Sequence, residues 1–377
     1  MKSPKKIICL ITTLSRGGTE RNLVQYCKAM NRSRFIPEVW YLHETESPLK
    51  TVLQEAGVST RCLNAPKKFQ PRYLLKIAKE LKHSGVDLLH IFLPTVGYYA
   101  VVSRFLFRSK IPAIYSCGGV QLLLPLQGLM MKYGLGRYCY PIVCNSRRVM
   151  DFWRDMKIDE SRLKLIHNGH DISQFTATFD RNKYREKLGL GETDFAIITV
   201  GRLIETKRHA DLLNACAKLN AGQLNFQILI AGDGPLQEAL QQQATGLGLA
   251  SRTHFLGTRD DVVALLRASD VFAFPSESEG LPNAVIEAAL CKLPIVASDI
   301  KPVLEIVDSE RSATIVPVRD IPALTAGIQF VSENWQLAAQ MSEVAYQEAA
   351  KKFDLRHTIS QLETAYEASL RGFPSPF

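Results

Sequence analysis

The chain has 377 residues, 46% of them hydrophobic, and its 46 Lys and Arg outnumber its 37 Asp and Glu for a net charge of +9. That length suggests two domains of the usual roughly 100–200 residues, each long enough to bury a core. No apolar run reaches the roughly 18–20 uncharged residues a bilayer span needs, which excludes an ordinary helical membrane protein.

The start, Met1 to Ile11, looks superficially like a secretion signal. Its apolar part is short and runs into Arg16-Gly17-Gly18 without a small-residue cleavage site, so it reads as a first buried strand. Short apolar runs follow at 38–42, 88–92, 113–116 and 141–144, after the first at 6–13. Helical spacing separates them near 18–30, 71–82, 95–107, 120–136 and 146–156. Strand-like runs return at 195–200, 226–231, 253–256, 271–274 and 295–297, with helices expected near 206–219, 235–246, 259–268 and 282–291. The last 50 residues are rich in Ala, Gln, Glu and Lys and read as helical. Alternating strands and helices imply parallel sheets covered on both faces. The expected fold is therefore α/β: two Rossmann-like domains, 1–170 and 171–355, with 356–377 a terminal helix able to return to the first. In open sheets of this kind, ligands bind beyond the carboxyl ends of the strands.

The eight cysteines (9, 27, 62, 117, 139, 144, 216 and 291) show neither a C-x-x-C pair nor metal-ligand spacing. Reduced thiols in a cytoplasmic protein are expected. His167 and His170 lie close together without a third ligand, so no metal site is expected. Charge is uneven: residues 1–170 carry 27 Lys and Arg against 11 Asp and Glu, residues 171–377 only 19 against 26. A soluble surface explains this, and so does a basic first half facing an anionic membrane. The segment Leu122–Arg137, apolar with flanking Lys132 and Arg137, is either a core helix or one that dips into a membrane interface.

Chemistry concentrates where strands end. Gly17-Gly18 follows the first strand and precedes a helix, where glycine admits a ligand and the helix N-terminus favours an anion. Neither G-x-G-x-x-G nor a P-loop pattern occurs, which disfavours a nicotinamide dehydrogenase. Gly201-Arg202 and Lys207 span a strand end and a helix start, two cations able to clamp a diphosphate or two solvated surface charges. Ala231-Gly232-Asp233-Gly234-Pro235 reads as a turn with Pro235 opening a helix, and Phe255-Leu256-Gly257 as a buried strand end. Asp270 to Ala288 is the most informative stretch: a strand, a loop carrying Glu279, Pro282 as the first residue of a helix, and Glu287 little more than a turn inside it.

Together with Asn168-Gly169-His170-Asp171, this ordered set of motifs resembles the family 4 retaining glycosyltransferases of the GT-B fold, two Rossmann-like domains facing across a cleft. The resemblance covers nearly the whole chain and is strongest over 196–298. It implies a nucleotide-sugar donor, a UDP-sugar foremost, and transfer with retained anomeric configuration and no metal or other cofactor. By it, Arg202 and Lys207 bind the donor diphosphate, Glu279 approaches the sugar, and Glu287 holds the ribose hydroxyls. Gly201, Gly280, Leu281, Pro282 and Asn283 line the donor site, and Gly17 and Gly18 bring the N-terminal loop to it. The Asn168–Asp171 element is given a structural role between the domains. The leaving phosphate helps deprotonate the acceptor hydroxyl. That acceptor would be a glycan or lipid-linked saccharide of cell-envelope polysaccharide synthesis, met at the inner membrane face.

Three departures stand out. Cys117, before Gly118-Gly119, occupies a place where many members carry a histidine, which puts sugar or acceptor contact at Cys117 and Gly118 in question. Ile300-Lys301-Pro302 replaces a Gly-Gly loop, and Asp308 to Ala313 replaces a glycine-rich turn. Two other functions are alternatives: an epimerase or phosphorylase on the same fold, and a basic nucleic-acid-binding protein. The last lacks any aromatic-basic recognition motif, so no nucleic-acid partner is expected.

Overall fold

A computed structural model of the chain describes residues 3–15, 17–66, 70–119, 125–219, 224–308 and 311–372. Contacts divide the chain into two units: residues 1–170 with 355–377, and residues 171–354.

Unit 1 holds a seven-stranded sheet of β1 (Lys5–Ile11), β2 (Phe35–Tyr41), β3 (Ser59–Cys62), β4 (Leu88–Ile91), β5 (Ala113–Cys117), β6 (Ile142–Cys144) and β7 (Leu163–Leu165). Its order is β3-β2-β1-β4-β5-β6-β7, and every pairing is parallel. The pleat explains why β1 is apolar at consecutive positions. Ile7, Cys9 and Ile11 enter one buried cluster while Ile8 and Leu10 enter the other, so both faces are covered. Truncating any of these aliphatic side chains to Ala should cost about 2–5 kcal/mol.

Unit 2 repeats the plan with β8 (Phe195–Val200), β9 (Phe226–Ala231), β10 (Thr253–Gly257), β11 (Val271–Phe274), β12 (Ile295–Ser298) and β13 (Thr314–Val316). The order is β10-β9-β8-β11-β12-β13. Ala196 and Ile198 pack on one face and Ile197 on the other. In both units the order reverses beside the first strand, between β1 and β4 and between β8 and β11. That reversal is the switch point at which such sheets open a crevice.

Several local expectations need correction. The helix expected over 206–219 is broken: Glu205–Lys207 form a 3-10 turn, Arg208 is left-handed at φ 54°, and the α-helix runs His209–Lys218. Arg208 holds that break by a two-point bond to Asp211, at 2.9 Å for each contact. Lys207 thus ends a tight turn and does not start a helix. Pro235 lies in a turn, and its helix begins at Gln237. Pro282 is the N-cap, with extended backbone, and the helix runs Asn283–Leu290. Residues 120–124 of the expected helix 120–136, and 309–310 of the replaced turn, lie outside the described residues. The rest of the former is helical over 125–138 and widens over Met130–Leu135, where the Gly136 N–H reaches the Met131 carbonyl. Strands β3, β7 and β13, each at a sheet edge, were not read from the sequence.

The helix Leu355–Arg371 packs into unit 1 through Ile359, Leu362, Ala365 and Tyr366. Buried Glu363 accepts the Asn31 N–H at 2.9 Å and Arg34 Nη1 at 2.6 Å. All eight cysteines are free thiols. Among the described residues no helix is long and apolar enough to cross a membrane. Among them, too, no cluster of three His, Cys, Asp or Glu is arranged to hold a metal ion.

Candidate active site

In unit 2 the switch point is bridged by charge. Lys207, in the loop after β8, sets its Nζ 2.5 Å from Glu279 Oε1, in the loop after β11. Their side chains are only 17% and 11% exposed, so this is a largely desolvated pair. Glu279 is held from below by the buried Ser276, whose hydroxyl lies 2.7 Å from Oε1 and 3.0 Å from the Thr206 carbonyl. The Glu277 N–H donates to the same carbonyl at 2.9 Å, tying the two loops together. Lys207 Nζ also stands 5.3 Å from the centre of the Phe274 ring, at the end of β11.

Gly201 lies beneath this cation: a Cβ there would be 3.6 Å from Lys207 Cδ and 3.8 Å from Nζ. Gly232, at the end of β9, has φ 152°, and a Cβ would fall 1.8 Å from the Gly201 carbonyl oxygen. Only glycine fits that contact. Leu203 N–H donates to the Asp233 carbonyl at 2.9 Å and the Leu236 N–H to Leu203 at 3.1 Å, so the loops after β8 and β9 are laced together.

The other sequence-derived residues of this unit fall around the pair. Arg202 adjoins Gly201, is exposed, and makes no ion pair among the described residues. Gly280 is half-buried, Leu281 and Pro282 are buried, Asn283 opens the helix, and Glu287 sits half-buried in its second turn. Lys207 is bonded to Glu279 and passes over Gly201. Arg202 and Glu287 share the sheet edge by topology. Ser276 and Phe274, which hold the acid and face the base, escaped the sequence reading. A Ser three residues before an acid in a strand-end loop was the available signal.

At the same edge of unit 1, the loop after β1 carries Gly17 and Gly18. Here the Ser15 hydroxyl donates to Glu20 Oε1 at 3.0 Å, and Glu20 is buried. A Cβ on Gly17 would meet Glu20 Oε2 at 2.3 Å. The carboxylate is thus folded back against the first turn of helix Gly18–Ala29, where its charge suits the dipole. After β5, Cys117 is buried and its Sγ donates to the Gly119 carbonyl at 3.4 Å. Burial pushes the Cys117 thiol above its ordinary pKa. The exposed Gly118 accepts Asn145 Nδ2, from the loop after β6, at 3.3 Å. A Cβ on Gly118 would lie 3.6 Å from Thr19 Oγ1 and 3.8 Å from Asn145 Nδ2. Three loops therefore meet around the glycines.

Behind them, buried His90 of β4 contacts Ser116 Oγ through Nε2 at 2.7 Å and the Tyr366 hydroxyl through Nδ1 at 2.8 Å. Burial lowers its pKa to about 3, so the ring is neutral. It joins the C-terminal helix to the strand that presents Cys117.

Two family descriptions match the chain: "Glycosyltransferase Family 4" over residues 16–174 and "Glycosyl transferases group 1" over residues 180–348. An Escherichia coli UDP-Gal:alpha-D-GlcNAc-diphosphoundecaprenol alpha-1,3-galactosyltransferase is 28% identical over 217 residues, 56% of each chain. The match to EpsF of Bacillus subtilis, 35% identical, spans 38% of this chain and 37% of that one. The chain therefore spans between a third and just over half of the length of these two relatives. A Campylobacter jejuni alpha-1,4-N-acetyl-D-galactosaminyltransferase, named for a GalNAc-bearing diNAcBac-PP-undecaprenol, is 26% identical over 93% of this chain and 95% of its own. The crystal structure of HepE from Anabaena with UDP and glucose superposes with a TM-score of 0.84 at 22% identity, covering 97% of this chain and all of that one. That likeness establishes the GT-B fold.

Proposed function

Because the chain belongs to the glycosyl transferases group 1, we propose that it is a hexosyltransferase moving a sugar from a nucleotide diphosphate to a saccharide hydroxyl. In this reading unit 2 binds the donor. Arg202 and Lys207 take the diphosphate, where fixed cations stabilise the charge that develops on the leaving group. Glu279 meets the sugar, Glu287 the ribose hydroxyls, and the Gly280–Asn283 turn supplies backbone N–H groups. Unit 1 binds the acceptor, with Gly17 and Gly18 bringing the N-terminal loop to it and Gly118 leaving room for it. The single observation that carries this reading is the Lys207–Glu279 pair spanning the β8/β11 switch point. A desolvated cation there must exchange its carboxylate for a stronger anion, and a diphosphate offers one.

A UDP-sugar is the donor favoured by the E. coli relative's name and by HepE, a protein solved with UDP. Anomeric retention and independence from metal belong to the same proposal, as does an undecaprenyl-linked or other cell-envelope acceptor. An acceptor anchored in lipid brings the enzyme to the inner membrane face. Residues 88–150 contain seven Lys and Arg and no Asp or Glu, and Phe105, Leu106, Leu129 and Tyr133 in that stretch are each about half exposed or more. Such a surface suits anionic headgroups.

A thermal-shift screen with UDP, GDP and ADP, each with and without EDTA, tests the donor reading. UDP at a hundred times its dissociation constant should stabilise unit 2 by about 2.7 kcal/mol. A chain that responds to none of the three nucleotides is not this enzyme.

A further inference from the structure

We propose that Glu20 and Asn145, with Thr19, form a hydroxyl-reading subsite for the acceptor where the loops after β1, β5 and β6 meet. This rests on the transferase reading and adds the residues and the chemistry by which unit 1 recognises its substrate. Asn145 is only 6% exposed, and its Oδ1 has no hydrogen-bond partner among the described residues. Its Nδ2 donates to the Gly118 carbonyl at 3.3 Å, which fixes the amide so that the oxygen is the atom left over. A buried amide oxygen without a donor is uncommon in a native fold and asks for an explanation.

The surroundings say what would fill the place. Gly118 is exposed, and among the described residues a Cβ on it would meet only Thr19 Oγ1 and Asn145 Nδ2 within 4 Å. Thr19 is the second residue of the helix whose first turn already carries the Glu20 carboxylate, itself bonded by Ser15. The seat a phosphate would take at that N-terminus is therefore filled by the protein's own anion. What the cluster presents is acceptor-rich: a carboxylate, an amide oxygen and one hydroxyl. Its partner must bring hydrogens without negative charge. An ammonium would meet the excess of 27 Lys and Arg over 11 Asp and Glu in residues 1–170. A neutral saccharide, offering several O–H donors, meets neither objection. Arg147 and Arg148, which open the next helix, are the feature that would favour a phosphate instead.

Full-length wild type, Asn145→Ala, Glu20→Gln and Thr19→Val are compared with UDP-sugar donor and octyl glycosides of glucose, galactose and N-acetylglucosamine as acceptors, with glucose 1-phosphate as the anionic probe. Thr19 is half-buried, so its variant is the one least able to disturb folding, and thermal midpoints report any that fails. The acceptor KM should rise roughly tenfold in the Asn145 and Glu20 variants while the dissociation constant for UDP stays within twofold. An unchanged acceptor KM in all three, or a preference for glucose 1-phosphate over every neutral glycoside, overturns the subsite while leaving the donor reading intact. A wild type that binds no UDP defeats the transferase reading, and the subsite with it.

Discussion

Removing one partner of the Lys207–Glu279 pair tests whether the charge at the switch point is truly desolvated. Breaking a fully buried pair costs about 3–5 kcal/mol, whereas an exposed pair is worth about 0–1 kcal/mol. At 17% and 11% exposure the pair lies towards the buried end. In Lys207→Met, Glu279 keeps only the Ser276 hydroxyl, a neutral donor at 2.7 Å. We expect a loss of about 2–3 kcal/mol. In Glu279→Gln, the ammonium keeps the Phe274 ring at 5.3 Å, and the loss should be nearer 1–2 kcal/mol. The double variant strands neither charge, so it should recover at least about 1 kcal/mol relative to the sum. For a unit of this size each kcal/mol moves the midpoint by about 2–4 °C, well within the reach of scanning calorimetry without nucleotide. Strict additivity, with each single loss below about 0.5 kcal/mol, would refute the idea of a desolvated pair. Both single variants should also abolish sugar transfer, and near-normal turnover in either would remove that residue from the active site.

Three further outcomes follow from features away from the pair. Burial lowers the pKa of His90 to about 3 and of His170 and His209 to about 4, the last also through Lys207. The unfolded chain protonates these rings below about pH 6.5 and the folded chain does not. Their contribution is complete above that pH and is lost as pH falls towards 4. At about 1.4 kcal/mol per pH unit per ring, unit 1, with two, should lose about 4 kcal/mol between pH 7 and 5, and unit 2 about half that. Urea melts flat across this range would contradict it. Gly232→Ala, with its Cβ driven onto the Gly201 carbonyl, should cost at least about 3 kcal/mol, and Gly201→Ala about 1 or less; equal losses in chemical denaturation would show that the loop yields. Finally, Phe105→Ser combined with Leu106→Ser should reduce co-sedimentation with phosphatidylglycerol vesicles several-fold without altering UDP binding. Retention equal to wild type would remove these side chains from any membrane contact.

The sequence made the central strands plain because a strand buried on both faces must be apolar almost throughout, as β8 is but for Thr199 and β11 is entirely. Edge strands have one side less to hide. Ser59–Cys62 alternates exposed and half-buried, and Leu163–Leu165 includes the exposed Lys164, so neither stands out from its loops. Lys207 and Glu279 were legible as members of an ordered set of strand-end motifs, yet their direct contact was not. It depends on β8 and β11 pairing across the switch, a fact of topology that no local window contains. The same holds for His90 and Asn145, polar residues whose partners come from distant parts of the chain. Local backbone also escaped: the left-handed Arg208 is set by its grip on Asp211, and no glycine marked the break.

The return of helix Leu355–Arg371 to unit 1 has a bearing on how the chain is made. Synthesis delivers β1 to β7 first, but their sheet lacks Tyr366 on His90 and Glu363 on Arg34 until the final helix emerges. Residues 171–354 can close upon themselves sooner. The earlier-born half is therefore the later to mature, and until then it holds open an apolar surface that includes Phe35, whose ring Tyr366 covers, and that chaperones or neighbouring nascent chains can reach.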